Sequence, residues 1–129
     1  MKFEHLGINV PDSRAQARWL VENLGFTVVR STETVPYLHF LADETGRVVL
    51  EIYTNPAGPI PDYATQPPLV LHFALVTTDA AAEGARLIYA GATAISDTTL
   101  PDGTRFVMVR DPWGLPLQLC QRAKPFPMP

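Results

Sequence analysis

Residues 69–77 read LVLHFALVT, a continuous apolar run that is interrupted by a single imidazole, His72. Two prolines precede the run and a Thr-Asp pair follows it. A run of this length between turn-forming residues predicts a strand that is buried on at least one face. A lone histidine in such a strand is most often a hydrogen-bonded core residue. Strand side chains alternate between faces, so His72 is expected on the face of Val70, Ala74 and Val76.

The stretch around His72 repeats an earlier one. His5 stands 67 residues before His72, and each histidine is followed 46 residues later by a side chain with a carboxyl or amide oxygen, Glu51 in the first case and Gln118 in the second. All four residues fall on the less apolar face of their predicted strands. Self-similarity of this length indicates two copies of one supersecondary unit, each too small to be comfortably stable alone.

Each copy is predicted to run strand, helix, strand, strand, strand, so the fold class is α+β with two tandem βαβββ modules. In the first copy, Ser13 and Gln16 resemble a capping box at the start of the helix, and Gly25 is suited to end it. Asp12 and Asp79, also 67 residues apart, are interpreted as helix-start residues. The strands are predicted at 2–10, 26–30, 37–41 and 47–53, and then at 69–77, 93–96, 104–109 and 115–121.

The chain is predicted to be a single domain with four parts. Module one spans residues 1–54, and module two spans 69–122. The connector between them, residues 55–68, contains five of the thirteen prolines and is expected to be stiff and extended. The last segment, residues 123–129, is expected to be an extended tail, because its prolines prevent pairing as a central strand.

Composition excludes several functional classes. The net charge of −3 and the absence of a Lys/Arg cluster argue against nucleic acid as a partner. Cys120 is the single cysteine, which excludes an intramolecular disulfide and a thiolate zinc site. No apolar run is long enough to span a membrane, and the N-terminus does not resemble a signal peptide. A reduced, cytoplasmic protein without membrane contact is therefore expected.

The repeated residues are suited to bind a divalent metal ion. Two imidazoles, one carboxylate and one carboxamide oxygen are nitrogen and oxygen donors that suit Zn²⁺, Ni²⁺, Co²⁺, Mn²⁺ or Fe²⁺ and leave positions for water or substrate. The alternative is that His5 and His72 anchor strand ends while Glu51 faces solvent. The matched spacing and facing of the two halves favour the metal site.

Three segments resemble the vicinal oxygen chelate superfamily, which includes glyoxalase I, methylmalonyl-CoA epimerase, extradiol dioxygenases and the bleomycin and fosfomycin resistance proteins. They are HLGINVPD at 5–12, LGF at 24–26 and DPWGLPLQL at 111–119. The resemblance extends from Phe3 to Gln121. It implies that the two modules form a cupped, mostly antiparallel eight-stranded β-sheet with the helices on the outer face, and that the protein is a homodimer whose modules pair within a chain or across two chains.

The resemblance also implies the site. The positions of the superfamily's metal ligands are occupied here by His5, Glu51, His72 and Gln118. Glutamine replaces the glutamate usual at the last position in glyoxalase-like members, and Leu115 replaces a common asparagine. Gln118 is unable to act as a base, so Glu51 is the only one of the four able to transfer a proton.

Three functions remain open from the sequence. The first is a metal-dependent lyase or isomerase whose small substrate chelates the metal through neighbouring oxygens. The second is a metal-free protein that binds a drug-like or antibiotic molecule, with an aromatic and apolar pocket wall. The third is an extradiol-type dioxygenase, which is disfavoured because such enzymes usually carry the carboxylate on the last strand. The candidate wall residues, each also suited to a plain core, are Tyr37, Phe40, Tyr53, Phe106 and Met108.

Overall fold

The fold follows the predicted order of elements twice in the computed structural model, which describes residues 1–127. This confirms the α+β class with two tandem βαβββ modules. Met128 and Pro129, the end of the predicted tail, lie outside the described residues. The elements are β1 (Leu6–Asn9), α1 (Ser13–Leu24), β2 (Thr27–Ser31), β3 (His39–Ala42), β4 (Val48–Tyr53), β5 (Phe73–Val76), α2 (Ala80–Tyr89), β6 (Thr93–Thr99), β7 (Arg105–Arg110) and β8 (Pro116–Gln121).

The chain divides into two compact units, residues 1–61 and 62–129. Each unit contains one four-stranded sheet, with strand order β1-β4-β3-β2 in the first and β5-β8-β7-β6 in the second. In each sheet the first and last strands of the module pair in parallel, and the remaining pairs are antiparallel. No helix within residues 1–127 combines the length and the apolar character needed to cross a membrane.

The 67-residue repeat is preserved in the register of the parallel pairs. Gly7 pairs with Glu51 in the first sheet, and the residues 67 positions later, Ala74 and Gln118, pair in the second. Because directly paired residues present their side chains on one face, the candidate residues Glu51 and Gln118 occupy equivalent places in the two sheets. The sequence repeat is therefore also a structural repeat.

The two helices begin in the same way. Asp12 and Asp79 are the N-caps, with identical backbone angles of φ −145° and ψ 88°. Each carboxylate accepts a hydrogen bond of 3.0 Å from the backbone N–H three residues on. The helix-start interpretation is correct, but the predicted capping box is wrong in its cap residue: α1 begins at Ser13, and Asp12 caps it. Gly25 ends α1 in the left-handed conformation, as predicted.

Each helix covers one face of its own sheet. In the second unit, α2 lies close to β7, since a Cβ on Gly84 would stand only 2.7 Å from Cγ1 of Val107. The opposite sheet face carries Glu51 in one unit and Gln118 in the other. Burial is concentrated on the helix-covered faces, in Leu20, Leu41, Leu50, Ile52, Leu87, Val107, Val109, Leu117 and Leu119.

The strand that contains His72 is shorter than predicted. The backbone N–H of Val70 donates to the Pro67 carbonyl at 2.9 Å and closes a turn. Leu69 and Val70 are consequently 94% and 67% exposed, and β5 begins only at Phe73. The prediction of a buried strand is therefore wrong for residues 69–72, because proline at the start of the run favours a turn over pairing.

The connector is also less extended than predicted. It contains hydrogen-bonded turns at 55–58 and 62–65. The Asn9 amide nitrogen donates to the Asn55 carbonyl at 2.9 Å, which fixes the first part of the connector to β1. The Arg110 guanidinium donates to the Tyr63 and Gln66 carbonyls at 2.8 Å each, which fixes the second part to β7.

The turn between β7 and β8 depends on Gly114. The buried Asp111 accepts hydrogen bonds of 2.9 Å from the backbone N–H groups of Trp113 and Leu115. Gly114 has φ 90°, and a Cβ there would stand 2.5 Å from the backbone nitrogen of Ala64. Glycine is required here both for its conformation and for the close approach of another segment.

We expect Gly114→Ala to lower the free energy of unfolding by about 2–5 kcal/mol, because the strain of a positive φ and the collision with Ala64 add together. Gly103→Ala is the matched control, since Gly103 has φ 89° but nothing within 4 Å of the added Cβ; it should cost about 1–2 kcal/mol. Urea denaturation measures both. Equal losses in the two variants would contradict a role for the Ala64 contact.

Candidate functional site

The face of the first sheet that α1 leaves uncovered carries the first half of the candidate site. Register places Gly7 and Glu51 side by side on this face. Phe40 is the partner of Glu51 on its other side, and Tyr53 is paired with Asn9. His5 lies two residues before Gly7, just ahead of β1. Carboxylate, imidazole and aromatic groups thus share one surface.

His5 and Glu51 are in direct contact. Nε2 of His5 lies 3.2 Å from Oε2 of Glu51, and their side chains are 25% and 18% exposed. The His5 ring also meets the Phe40 ring edge-on, with centroids 5.1 Å apart and an interplanar angle of 78°. Partial burial against an aromatic ring lowers the local dielectric, so the interaction between the two polar groups is stronger than it would be in bulk water.

Gly7 makes room for the Glu51 carboxylate. A Cβ at this position would stand 3.0 Å from Oε2 of Glu51 and 3.6 Å from the hydroxyl oxygen of Tyr53. The carboxylate therefore lies against the bare backbone of β1. The sequence reasoning missed this role, although a glycine inside a strand is itself a signal of a close approach.

Glu4 is a second residue that the sequence reasoning missed. Its carboxylate oxygen Oε2 lies 3.4 Å from Nδ1 of His5. That nitrogen is buried and makes no hydrogen bond within the described part of the chain. In metal sites a carboxylate that accepts a hydrogen bond from the outer nitrogen orients the imidazole; the exposed Glu4 side chain stands near this nitrogen without forming that bond. The signal in the sequence was an acidic residue immediately before a candidate ligand.

His72 has a defined ring orientation in the second unit. Its Nδ1 lies 2.8 Å from the Pro68 carbonyl oxygen. A carbonyl only accepts hydrogen bonds, so Nδ1 carries the proton in the neutral ring and Nε2 keeps a free lone pair. His72 is exposed, which leaves that lone pair accessible. The turn that shortens β5 is thus also what orients this imidazole.

His39 makes the same kind of bond but on the other side of its sheet. Its Nδ1 lies 2.8 Å from the Tyr37 carbonyl, and it is paired with the buried Ile52. It therefore does not share the face of Glu51. His39 also has no counterpart in the 67-residue repeat, where the matching position is Phe106, and its bond to the backbone is typical of a structural histidine.

Gln118 lies in the centre of the second sheet, paired with Ala74 and Met108. Its Oε1 is 3.5 Å from the sulfur of Cys120. Cys120 is only 3% exposed; burial raises the pKa of its thiol, while the Arg122 charge opposes that rise. A buried thiol with a raised pKa is not a reactive nucleophile at neutral pH.

The structure brings together one pair of the four candidate ligands, His5 and Glu51. His72 and Gln118 occupy the repeated register positions, and no hydrogen bond joins them to each other within residues 1–127. The same range contains no cluster of three or more His, Cys, Asp and Glu side chains arranged to hold a metal ion. The centre of four ligands therefore stays a prediction.

The His5–Glu51 pair nevertheless has the spacing that a metal ion requires. Two ligand atoms that each lie about 2.0–2.2 Å from one ion, at tetrahedral or octahedral angles, are separated by roughly 3.0–3.4 Å. The observed separation of 3.2 Å falls in that interval. A half-buried imidazole and carboxylate are also donor types that divalent ions prefer. The residues present in module one thus fit a divalent metal.

Four of the five candidate wall residues lie on these uncovered faces. Phe40 and Tyr53 flank Glu51, and register places Met108 beside Gln118 and Phe106 beside Cys120. Tyr37 lies elsewhere. Its ring is under the Arg14 guanidinium, 4.1 Å from the ring centre, at the start of α1.

Comparisons with known proteins agree with this architecture. The sequence model described as the glyoxalase/bleomycin resistance protein/dioxygenase superfamily matches residues 2–119. No curated protein is significantly similar to the chain. A glyoxalase family protein from Enterococcus faecalis has a TM-score of 0.68 at 25% identity, with 92% of this chain and 96% of that chain covered.

Two further solved structures share the fold. Glyoxalase I from Zea mays has a TM-score of 0.73 at 21% identity; the alignment covers 95% of this chain but only 45% of the maize chain. TnmS3, an antibiotic binding protein from Streptomyces sp. CB03234, has a TM-score of 0.66 at 23% identity, with 93% and 94% covered. One fold thus accommodates an enzyme and a binding protein.

Proposed function

The chain belongs to the glyoxalase/bleomycin resistance protein/dioxygenase superfamily, and on this basis we propose that it is a divalent-metal-dependent enzyme of the glyoxalase type, a lyase or isomerase that acts on a small substrate. The observation that carries the proposal is the contact between Nε2 of His5 and Oε2 of Glu51 at 3.2 Å. Superfamily membership alone would not distinguish an enzyme from a binding protein.

The proposed ligands are His5, Glu51, His72 and Gln118. When bound, a divalent ion would polarise the neighbouring oxygens of a chelating substrate. The set contains nitrogen and oxygen donors and no thiolate, which suits Zn, Ni, Co, Mn or Fe. Gln118 contributes no charge, so the four residues together carry −1 from Glu51.

The residues of module one have separate roles in the proposed proton transfer. Glu51 is the only carboxylate of the set, so it is the residue that accepts the substrate proton if the reaction is an isomerisation or a lyase step. Gly7 leaves the space in which this carboxylate rests. Glu4 lies beside the outer nitrogen of His5, and the ring of Phe40 packs edge-on against the imidazole.

The alternative function is metal-free binding of a drug-like molecule. It is supported by the fold shared with the antibiotic binding protein TnmS3, by the replacement of the usual glutamate with Gln118, and by the apolar side chains of Phe40, Tyr53, Phe106 and Met108 on the uncovered faces. A binding protein of this kind needs a wall for its ligand and no metal.

Metal binding distinguishes the two functions. We expect the native protein, stripped with EDTA, to bind Co²⁺ in isothermal titration calorimetry, and His5→Ala and Glu51→Ala each to weaken that affinity by about 100-fold or more, since each removes a ligand. His39→Ala is the matched control, because this histidine lies off the site face; its affinity should equal that of the native protein. No binding by the native protein, or equal weakening in all three variants, would refute the metal proposal.

Gly7→Ala tests the position of the carboxylate separately from its chemistry. The added methyl group must displace Oε2 of Glu51, so we expect Co²⁺ affinity to fall by about 10-fold or more while the free energy of unfolding changes by less than about 1.5 kcal/mol. Gly58→Ala is the control in the same unit, since its added Cβ would be 3.6 Å from the nearest atom, an ordinary contact. Unchanged affinity in Gly7→Ala would show that the carboxylate does not need this space.

We further propose that the protein is a homodimer. Each sheet leaves apolar side chains on exposed strands, among them Val29 at 58% and Val76 at 63% exposure, and exposed apolar surface of this kind marks association sites. Sedimentation velocity should give about twice the mass of one chain. Val29→Lys and Val76→Lys should shift the protein toward monomer, whereas Tyr89→Lys, at a helix position that is 97% exposed, should not. A native protein that sediments as a monomer would contradict this proposal.

A further inference from the structure

A positively charged residue, Arg122, follows Gln118 and Cys120 on the same face at the end of β8. Gln118 and Cys120 are paired with Met108 and Phe106 on β7, and Arg122 is the next residue in the same alternation. The central guanidinium carbon of Arg122 lies 5.1 Å from the centre of the Phe106 ring. Its side chain therefore returns over the face that α2 leaves uncovered.

Arg122 has no acidic partner among residues 1–127. The side-chain ion pairs of arginine within residues 1–127 are Arg86 with Glu83 and Arg105 with Asp97. Arg122 instead contacts two aromatic rings, Phe106 and Phe126, the latter at 4.2 Å from the ring centre. Aromatic rings engage the flat side of a guanidinium, so the N–H groups around its edge stay available for an oxyanion.

The side chain of Arg122 lies over the same surface. Phe106, which its guanidinium contacts, is paired with Cys120, and the sulfur of Cys120 lies 3.5 Å from Oε1 of Gln118. The start of the tail is also fixed, because the backbone N–H of Ala123 donates to Oγ1 of Thr104 at 3.1 Å. The cation is thus held over the ring of Phe106, on the sheet face that carries Gln118.

Module one has no equivalent cation. The residue 67 positions before Arg122 is Asn55, whose side chain accepts the backbone N–H of Ala57 at 3.0 Å. The two modules therefore differ in charge at this position, and a charged ligand would have a preferred orientation on the repeated framework.

We propose that Arg122 binds an oxyanion of the ligand, so that the ligand of this face carries a carboxylate or phosphate group about 7 Å from the end that reaches Gln118. The guanidinium lies over Phe106, whose strand partner Cys120 is two residues from Gln118 along β8, so the separation is roughly 7 Å at about 3.4 Å per residue. The planar donors of arginine match such oxyanions in two parallel hydrogen bonds. This inference rests on the proposed use of the Gln118 face for ligand binding and names the class of substrate.

Two fluorescent probes of the same shape test the inference on the EDTA-treated full chain. 8-Anilinonaphthalene-1-sulfonate is anionic, and N-phenyl-1-naphthylamine is its neutral counterpart. We expect Arg122→Gln to weaken binding of the anionic probe by about 10-fold and to change binding of the neutral probe by less than about twofold. Arg122→Lys should lose less, because it keeps the charge but not the paired donors.

Arg105→Gln is the matched control, because Arg105 precedes Phe106 on the opposite face of β7 and is already paired with Asp97. It removes the same charge and should leave both affinities at the native value. Backbone amide shifts at Phe106, Met108 and Gln118 on addition of the anionic probe should locate binding on this face. Competition by benzoate against phenyl phosphate then shows whether a carboxylate or a phosphate is preferred.

Equal affinity of Arg122→Gln and the native protein for the anionic probe would overturn the inference, as would amide shifts confined to α2. Circular dichroism and the urea midpoint establish that Arg122→Gln is folded. If the native protein fails to bind Co²⁺ but the difference between probes persists, the metal proposal is wrong and the role of Arg122 stands. If Co²⁺ binds and the probes show no difference, only the role of Arg122 is wrong.

Discussion

The parallel pairing between the first and last strands of each module is the constraint on which the rest depends. A parallel pair must be joined by a crossover, and in both modules the intervening chain supplies a capped helix and two antiparallel strands. The pairing fixes Gly7 beside Glu51 and Ala74 beside Gln118. One register therefore determines which side chains of distant segments become neighbours on the uncovered face.

The sequence alone predicts this framework well, because its signals are local and are repeated. Asp12 and Asp79 cap helices with the same geometry, and the 67-residue offset reappears in the strand pairs. A pattern that occurs twice is unlikely to arise from chance alone, and each half supports the interpretation of the other. The order of elements and the face of the candidate ligands follow from these signals.

The remaining features depend on turn formation and side-chain packing, which the pattern of apolar residues does not show. Residues 69–72 are as apolar as a buried strand, but the hydrogen bond from Val70 to the Pro67 carbonyl turns the chain before pairing begins. The spacing between Glu51 and the β1 backbone depends on the missing side chain of Gly7. The contact of Glu4 with His5 depends on a rotamer. Turn geometry and side-chain packing decide these features, and neither has a periodic signal in the sequence.

The two modules carry different residues at three of the repeated positions on the uncovered face. Gly7, Glu51 and Tyr53 of module one correspond to Ala74, Gln118 and Cys120 of module two. The only carboxylate among the four candidate ligands, and the glycine that makes room for it, therefore both lie in the first unit. Gln118 is able to donate an oxygen but not to accept a substrate proton. In the proposed function, the candidate base Glu51 and the proposed oxyanion-binding residue Arg122 therefore lie in different modules. A single repeated register would then present a proton acceptor in one copy and a binding group in the other.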